Sequence, residues 1–226
     1  DAVFEANLQT MRDAGAVIVD IAEGPDMEAM GGAEFEVLMY ELKHDLNAYL
    51  ASTDPAQVTT RTLAEVIAFN ERTPRELALF GQELFLLAQS KGGLDDPAYV
   101  EARATSLRLA GAEGIDKLMR EHDVVALIAP TTGPAWTTDV VNGDHYAGSA
   151  SQMPAIAGYP HLTVPMGFVE GLPVGMSFIA GKWEDAKVLS LGYAFEQLTR
   201  AIRAPVFARS VEESEALAPL LAPMAE

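Results

Sequence analysis

Two strand-length runs, Leu162-Thr163-Val164 and Val174-Gly175-Met176-Ser177-Phe178-Ile179, flank a stretch from Gly167 to Pro173 that is rich in turn residues. This arrangement predicts a β-hairpin, because glycine tolerates positive φ and proline presets φ in a tight connection. Elsewhere helical stripes alternate with short apolar runs, which sets the class as α/β.

The stripes can be followed from the start of the chain. Phe4, Leu8 and Met11 recur at helical spacing, Gly15 offers a stop, and Ala16-Val17-Ile18-Val19-Asp20-Ile21 reads as a buried strand. Ala22 to Gly32 reads as loop. Leu38, Leu42, Leu46 and Tyr49 mark a second helix, ended by Ser52 to Pro55. Thr62 with Glu65 predicts a capping box. Thr73-Pro74-Arg75-Glu76 predicts the start of a helix bearing Leu77, Phe80, Leu84 and Leu87, stopped by Gly92-Gly93. Asp96-Pro97 opens another, with Val100, Ala104, Leu107, Gly111 and Leu118 on one face. Gly111 and Gly114 cost about 1 kcal/mol each against alanine, which points to close packing there.

His122-Asp123 leads into Val124-Val125-Ala126-Leu127-Ile128-Ala129, a strand-length run broken at Pro130-Thr131-Thr132-Gly133-Pro134. Pro134 to Ser151 is polar and reads as loop. Val188, Leu191, Phe195, Leu198 and Ile202 form the last stripe, ended by Pro205. Neither a repeat nor a linker divides the chain. Residues 1–209 are expected to form one domain, and 210–226 a flexible acidic tail rich in Ala and Pro.

Composition excludes several functions. The chain has 226 residues, 33 acids and 15 bases, for a net charge of -18. That sign repels phosphate backbones and anionic lipid, so neither nucleic acid nor membrane is an expected partner. With 0 cysteines, disulfides and thiolate chemistry are out, while the compartment stays open. No run reaches transmembrane length and no signal peptide is evident. The opening lacks an initiator Met, so the chain is expected to begin within a longer protein.

Motifs for common chemistries are absent. Phosphate loops, the His-Glu-x-x-His zinc pattern and the Gly-x-Ser-x-Gly elbow do not occur, and no two serines are adjacent. Neither a metal nor a cofactor is expected. His44 reads as helix surface, His122 as a residue of a last helical turn, and His161 as a strand start. His145 lies in the polar loop with Asp144, Ser149 and Ser151. A triad needs groups brought together in space, which sequence neighbours usually cannot supply. Lys43, Lys91, Lys117, Lys182 and Lys187 read as surface charge.

Gly158-Tyr159-Pro160-His161-Leu162-Thr163-Val164-Pro165-Met166-Gly167, followed by Gly171-Leu172-Pro173-Val174-Gly175-Met176-Ser177-Phe178-Ile179-Ala180-Gly181, resembles the C-terminal signature of the amidase-signature family. Asp123 through Pro130-Thr131 resembles the preceding strand of that family, and Gly15-Ala16-Val17-Ile18-Val19 its βαβ element. The wording from Ala157 to Pro165, with Glu41-Leu42-Lys43 and Leu46 to Leu50, looks closest to the peptide-amidase-like branch. One departure stands at Ala155, where many members carry Asn, and it leans away from the tRNA-dependent amidotransferases.

The resemblance implies a partial amidase-signature fold, a mixed β-sheet flanked by helices. The family hydrolyses amides with a Ser nucleophile, a second Ser in a cis peptide and a Lys base, aided by oxyanion-hole amides. That machinery is expected upstream of this chain, in a missing N-terminal catalytic segment that would be its partner. The chain itself is expected to supply scaffold and pocket walls, and to be inactive alone. Loops after sheet strands often line ligand crevices. Thr131, Thr132, Trp136 and Tyr159 are therefore the candidate contacts to a small amide or peptide-amide substrate. The alternative is a non-catalytic module that self-associates as a homo-oligomer through an exposed sheet edge.

Overall fold

The computed structural model describes residues 2–207 and has an α/β architecture. The tail expected at 210–226 lies outside the described residues. Element order is α1 (Ala2–Asp13), α2 (Met27–Ser52), α3 (Leu63–Arg72), α4 (Glu83–Ser90), α5 (Pro97–Ala110), a π-helical turn (Gly111–Ile115), α6 (Asp116–Glu121), β1 (Leu127–Pro130), α7 (Gln152–Ala157), β2 (His161–Val169), β3 (Leu172–Ile179) and α8 (Asp185–Thr199).

The hairpin forms as read, and β3 lies at the centre of a three-stranded sheet of order β1-β3-β2, antiparallel to both neighbours. Side chains alternate along each strand. Leu162, Val164 and Met166 of β2 therefore share a face with Val174, Met176 and Phe178 of β3. This face is covered by Phe4, Leu8 and Met11 of α1 and by Val188, Leu191 and Phe195 of α8. Phe178 and Phe195 meet with ring centroids 5.5 Å apart.

A β-bulge fixes how α1 docks. The ladder skips from Pro165–Gly175 to Gly167–Val174, so Met166 is the extra residue of β2. Its carbonyl accepts a 2.8 Å hydrogen bond from the buried Asn7 amide of α1. Gly167 adopts φ 150°, and a Cβ there would come within 2.8 Å of Val3. The bulge and the glycine together let α1 lie close on the sheet.

The remaining helices form a second layer. Thr62 and Glu65 make the predicted capping box of α3. Leu63, Ile67 and Ala88 pack against Met39, Leu42 and Leu46 of α2. Polar bonds then pin α2 to α4 and α5. Tyr40 donates to Asp96 at 2.9 Å, Tyr99 to Glu41 at 2.7 Å, and Lys91 pairs with Glu36 at 2.7 Å. Lys43 donates to the Gln89 and Lys91 carbonyls, closing the C-terminus of α4. Lys43 and Lys91 are thus structural ties rather than free surface charge.

Several local readings are corrected. Ala16 to Ile21 has no strand ladder, and Val17 is 87 % exposed, because no neighbouring strand lies beside it among the described residues. The loop read from Ala22 ends at Asp26, whose carboxylate caps α2 by accepting from the Ala29 amide. Thr73-Pro74 does not start a helix. Thr73 closes α3 instead, turns follow, and α4 begins only at Glu83. Phe80 is 61 % exposed as a result. On α5 the buried residues are Tyr99, Ser106, Leu109 and Ala110, rotated from the face read through Val100 and Ala104. The last helix ends at Arg200 in the left-handed region, before Pro205.

Replacing Asn7 with Leu leaves the buried Met166 carbonyl unpaired and is expected to cost about 1–3 kcal/mol. Phe80→Ala, at an exposed turn, should stay within about 0.5 kcal/mol. Urea denaturation of both variants checks the pair.

Candidate functional site

Continued pairing with β3 beyond β1 decides where the hydroxyls gather. Beyond Pro130 the backbone continues beside β3, and the Thr131 amide donates to the Gly175 carbonyl at 2.8 Å. Thr131 therefore extends the sheet face opposite the α1–α8 core. By alternation that face also carries His161 and Thr163 of β2 and Gly175 and Ser177 of β3.

These groups form one continuous chain of hydrogen bonds. His161 Nε2 lies 2.6 Å from Ser177 Oγ, Ser177 Oγ 2.9 Å from Thr131 Oγ1, and Thr131 Oγ1 2.7 Å from Thr163 Oγ1. Ser177 is wholly buried at the centre, while Thr163 is exposed. Gly175 makes room for the pair of threonines. A Cβ there would fall 2.5 Å from Thr163 Oγ1 and 3.0 Å from Thr131 Oγ1. Burial lowers the His161 pKa, which favours the neutral imidazole. One of its ring nitrogens is then an acceptor, so the ring can hold a hydroxyl proton.

The loop beyond Thr131 is closed at its base. Ala150 N donates to the Thr131 carbonyl at 3.0 Å, Thr132 bridges to Ser149, and Thr132 Oγ1 donates to the Gly148 carbonyl. Within the loop Trp136 Nε1 donates to Asp144 at 3.1 Å and its ring meets Tyr146 edge-on at 6.2 Å. Asp139 accepts from the Val141 and Asn142 amides and from the Asn142 side chain. These bonds hold its pKa below the ordinary carboxylate value.

Of the four candidate contacts, the fold brings Thr131 and Thr132 together at the mouth of this loop, with Trp136 further along it. Tyr159 is placed differently. Its hydroxyl donates to Asp116 at 2.8 Å, and the same oxygen would stand 3.4 Å from a Cβ on Gly111, an ordinary contact. Burial and the Asp116 carboxylate raise its pKa. Tyr159 thus buttresses the π-helical turn, and the close packing expected there is found at Gly114, where a Cβ would fall 2.5 Å from the Leu109 carbonyl oxygen, but not at Gly111. His145 lies 3.8 Å from Asp139 and is exposed, while Ser149 bonds Ser151, so no Ser-His-Asp constellation forms there.

His161, Thr163 and Ser177 were not singled out as site residues from the sequence. A signal was present, since polar side chains recur at period two within otherwise apolar strands. No cluster of three or more His, Cys, Asp or Glu residues able to hold a metal occurs among the described residues. Likewise no described helix is long and apolar enough to cross a membrane.

Comparison with known proteins places this arrangement. The family model described as Amidase matches residues 1–189. A solved peptide amidase in complex with the competitive inhibitor chymostatin is 44 % identical, with a TM-score of 0.84, over 91 % of this chain and 42 % of that one. The native peptide amidase from Stenotrophomonas maltophilia is 42 % identical with a TM-score of 0.82, over 92 % of this chain and 41 % of that one. A probable amidase of Arabidopsis thaliana is 29 % identical over 91 % of this chain and 38 % of its own length. The chain thus spans about two-fifths of the length of these relatives.

The lowered His161 pKa sets a pH dependence. The unfolded chain binds a proton near the ordinary histidine value of 6.5, and the folded chain only at lower pH. Stability contributed by neutral His161 is therefore present above pH 6.5 and is lost as pH falls below it. The urea midpoint should drop between pH 7.5 and 5.5, by less in His161→Gln. The depressed carboxyls of Asp139 and Glu184 titrate below this window.

Proposed function

Because this chain belongs to the amidase family, we propose that it is the C-terminal portion of an amide hydrolase. Its residues 1–209 supply sheet, covering helices and substrate walls to catalytic residues carried elsewhere in the same protein. The observation that carries this reading is the likeness to peptide amidases at 44 % identity over 91 % of this chain but 42 % of theirs.

The placement of Lys43, Lys91, Lys187 and Ser177 supports the same division of labour. A Ser–Lys mechanism needs an amine close to a serine hydroxyl to take its proton. Here Lys43 is held by backbone carbonyls, Lys91 by Glu36 and Lys187 by Glu184. Ser177 is buried beneath two threonines and a histidine, out of reach of an attacking role.

What the chain offers a substrate is hydrogen bonding and an aromatic wall. Thr131 and Thr132, with Trp136 along the loop, present hydroxyls and a ring suited to the polar backbone and apolar side chains of a peptide amide. Tyr159 contributes by holding the frame on which they stand. The partner is the segment bearing the Ser nucleophile, and the substrate class is a small linear or peptide amide.

Peptide-amide hydrolysis and fluorophosphonate labelling, run on this chain and on the product of its full reading frame, test the reading. The isolated chain should neither label nor turn over, and the longer product should do both. Activity in the isolated chain would place the nucleophile among its own serines and sink the proposal. In the longer product, Thr131→Val should raise KM roughly 5- to 10-fold with kcat little changed, the loss of about one hydrogen bond.

A further inference from the structure

The row from His161 through Ser177 and Thr131 to Thr163 has a direction as well as a path. A hydroxyl carries one proton and two lone pairs, so a group that gives its proton to one neighbour must receive from the other. The order of the whole row therefore follows from whether His161 Nε2 gives or accepts.

Spacing answers that question. A ring N–H donating to oxygen stands about 2.7–3.2 Å away, most often near 2.9 Å, whereas hydroxyl donors stand at about 2.5–3.0 Å. The Nε2–Oγ separation of 2.6 Å is that of a hydroxyl donor. Burial of the ring works in the same sense, because it favours the neutral form with a free lone pair. Ser177 is wholly buried, so its proton has no water to turn to in place of His161.

With Nε2 accepting, one order is left. Ser177 gives its proton to His161, Thr131 gives to Ser177, and Thr163 gives to Thr131. All three protons point inward, and the exposed Thr163 Oγ1 turns only lone pairs outward. A donating His161 would lift the constraint, because Thr131 could then supply the bond to Thr163 and free the Thr163 proton. Gly175 keeps the outer end in place, since a Cβ there would fall 2.5 Å from Thr163 Oγ1.

We propose that Thr163 contacts substrate as the acceptor for a backbone N–H of a peptide amide, and that His161 is the positioning residue that sets this polarity through the two hydroxyls between them. The inference rests on the reading of the chain as part of an amidase. It adds to Thr131, Thr132 and Trp136 a contact from β2. Its ligand must carry a backbone N–H besides the amide that is cut, which a peptide has and a simple aliphatic amide lacks.

The test uses the full reading-frame product and peptide amides N-methylated at one backbone nitrogen at a time. One methyl position should raise KM roughly 5- to 10-fold with kcat little changed, the loss of about one hydrogen bond. Thr163→Val should raise KM for the unmethylated peptide by the same factor and become indifferent to that methyl group, and Thr163→Ser should restore the parent pattern. Nitrogen-15 NMR of the histidine-labelled product, with the His161 signal identified by its loss in His161→Gln, should show Nδ1 protonated and Nε2 bare at neutral pH. This measurement needs no change at Thr163 and stands whether or not Thr163→Val folds. An unchanged KM and methyl pattern in Thr163→Val would overturn the contact, and a protonated Nε2 would overturn the role of His161, with the amidase reading intact in either case. A longer product that neither labels nor hydrolyses would remove the amidase reading. Calorimetric binding of the same peptides would then decide the contact: methyl sensitivity lost in Thr163→Val supports it, and uniform or absent binding overturns it.

Discussion

The described fold is referred to β3, the one strand among the described residues with a partner on each side. Its alternation sorts the structure into two environments. Val174, Met176 and Phe178 face α1 and α8 and make the largest apolar core. Gly175 and Ser177 face the other way and hold the hydroxyl chain. A shift of one residue in its register would exchange the two faces and lose both. The bulge at Met166 guards against this from the neighbouring strand, because Asn7 reads that one displaced carbonyl.

The helical layer is held by a different balance of forces. Its apolar clusters are small, and its helices are tied by Tyr–carboxylate and Lys–carboxylate bonds that are partly buried. Each such bond contributes little net, but losing one partner strands the other away from water. The tyrosines accordingly have raised pKa values. Tyr99 owes this first to its bond with Glu41, Tyr40 first to burial. Tyr159 uses the same device to brace the π-helical turn, where Gly114 leaves no space for a side chain.

The site shows how a sheet face can order hydroxyls before any ligand arrives. Buried Ser177 has no solvent to satisfy it, so His161 and Thr131 must. Those bonds in turn fix the rotamers of Thr131 and, through it, Thr163, which stands at the open end of the chain of hydroxyls. An ordered, half-dry row of hydroxyls is worth more to a polar ligand than the same groups on a mobile loop, because their orientation is settled before binding.

The sequence alone determined the hairpin, the capping box of α3, the Asp96-Pro97 start of α5 and the close approach at Gly114. Each is a local rule, set by φ, by a capping oxygen or by the lack of a Cβ. The family was legible for the same reason, since its signature is a string of turn residues that the hairpin requires. What only tertiary structure decided lay between elements. Ala16 to Ile21 has strand composition but no ladder, because a strand exists only when a neighbour supplies its bonds. Leu77, Phe80, Leu84 and Leu87 have helical spacing, yet turns precede α4 and only Leu84 and Leu87 fall within it. His161, Ser177, Thr131 and Thr163 are dispersed along the chain and become one group only through the pairing of three strands. Sequence spacing encodes which face a residue takes, while the partner on that face is fixed by packing.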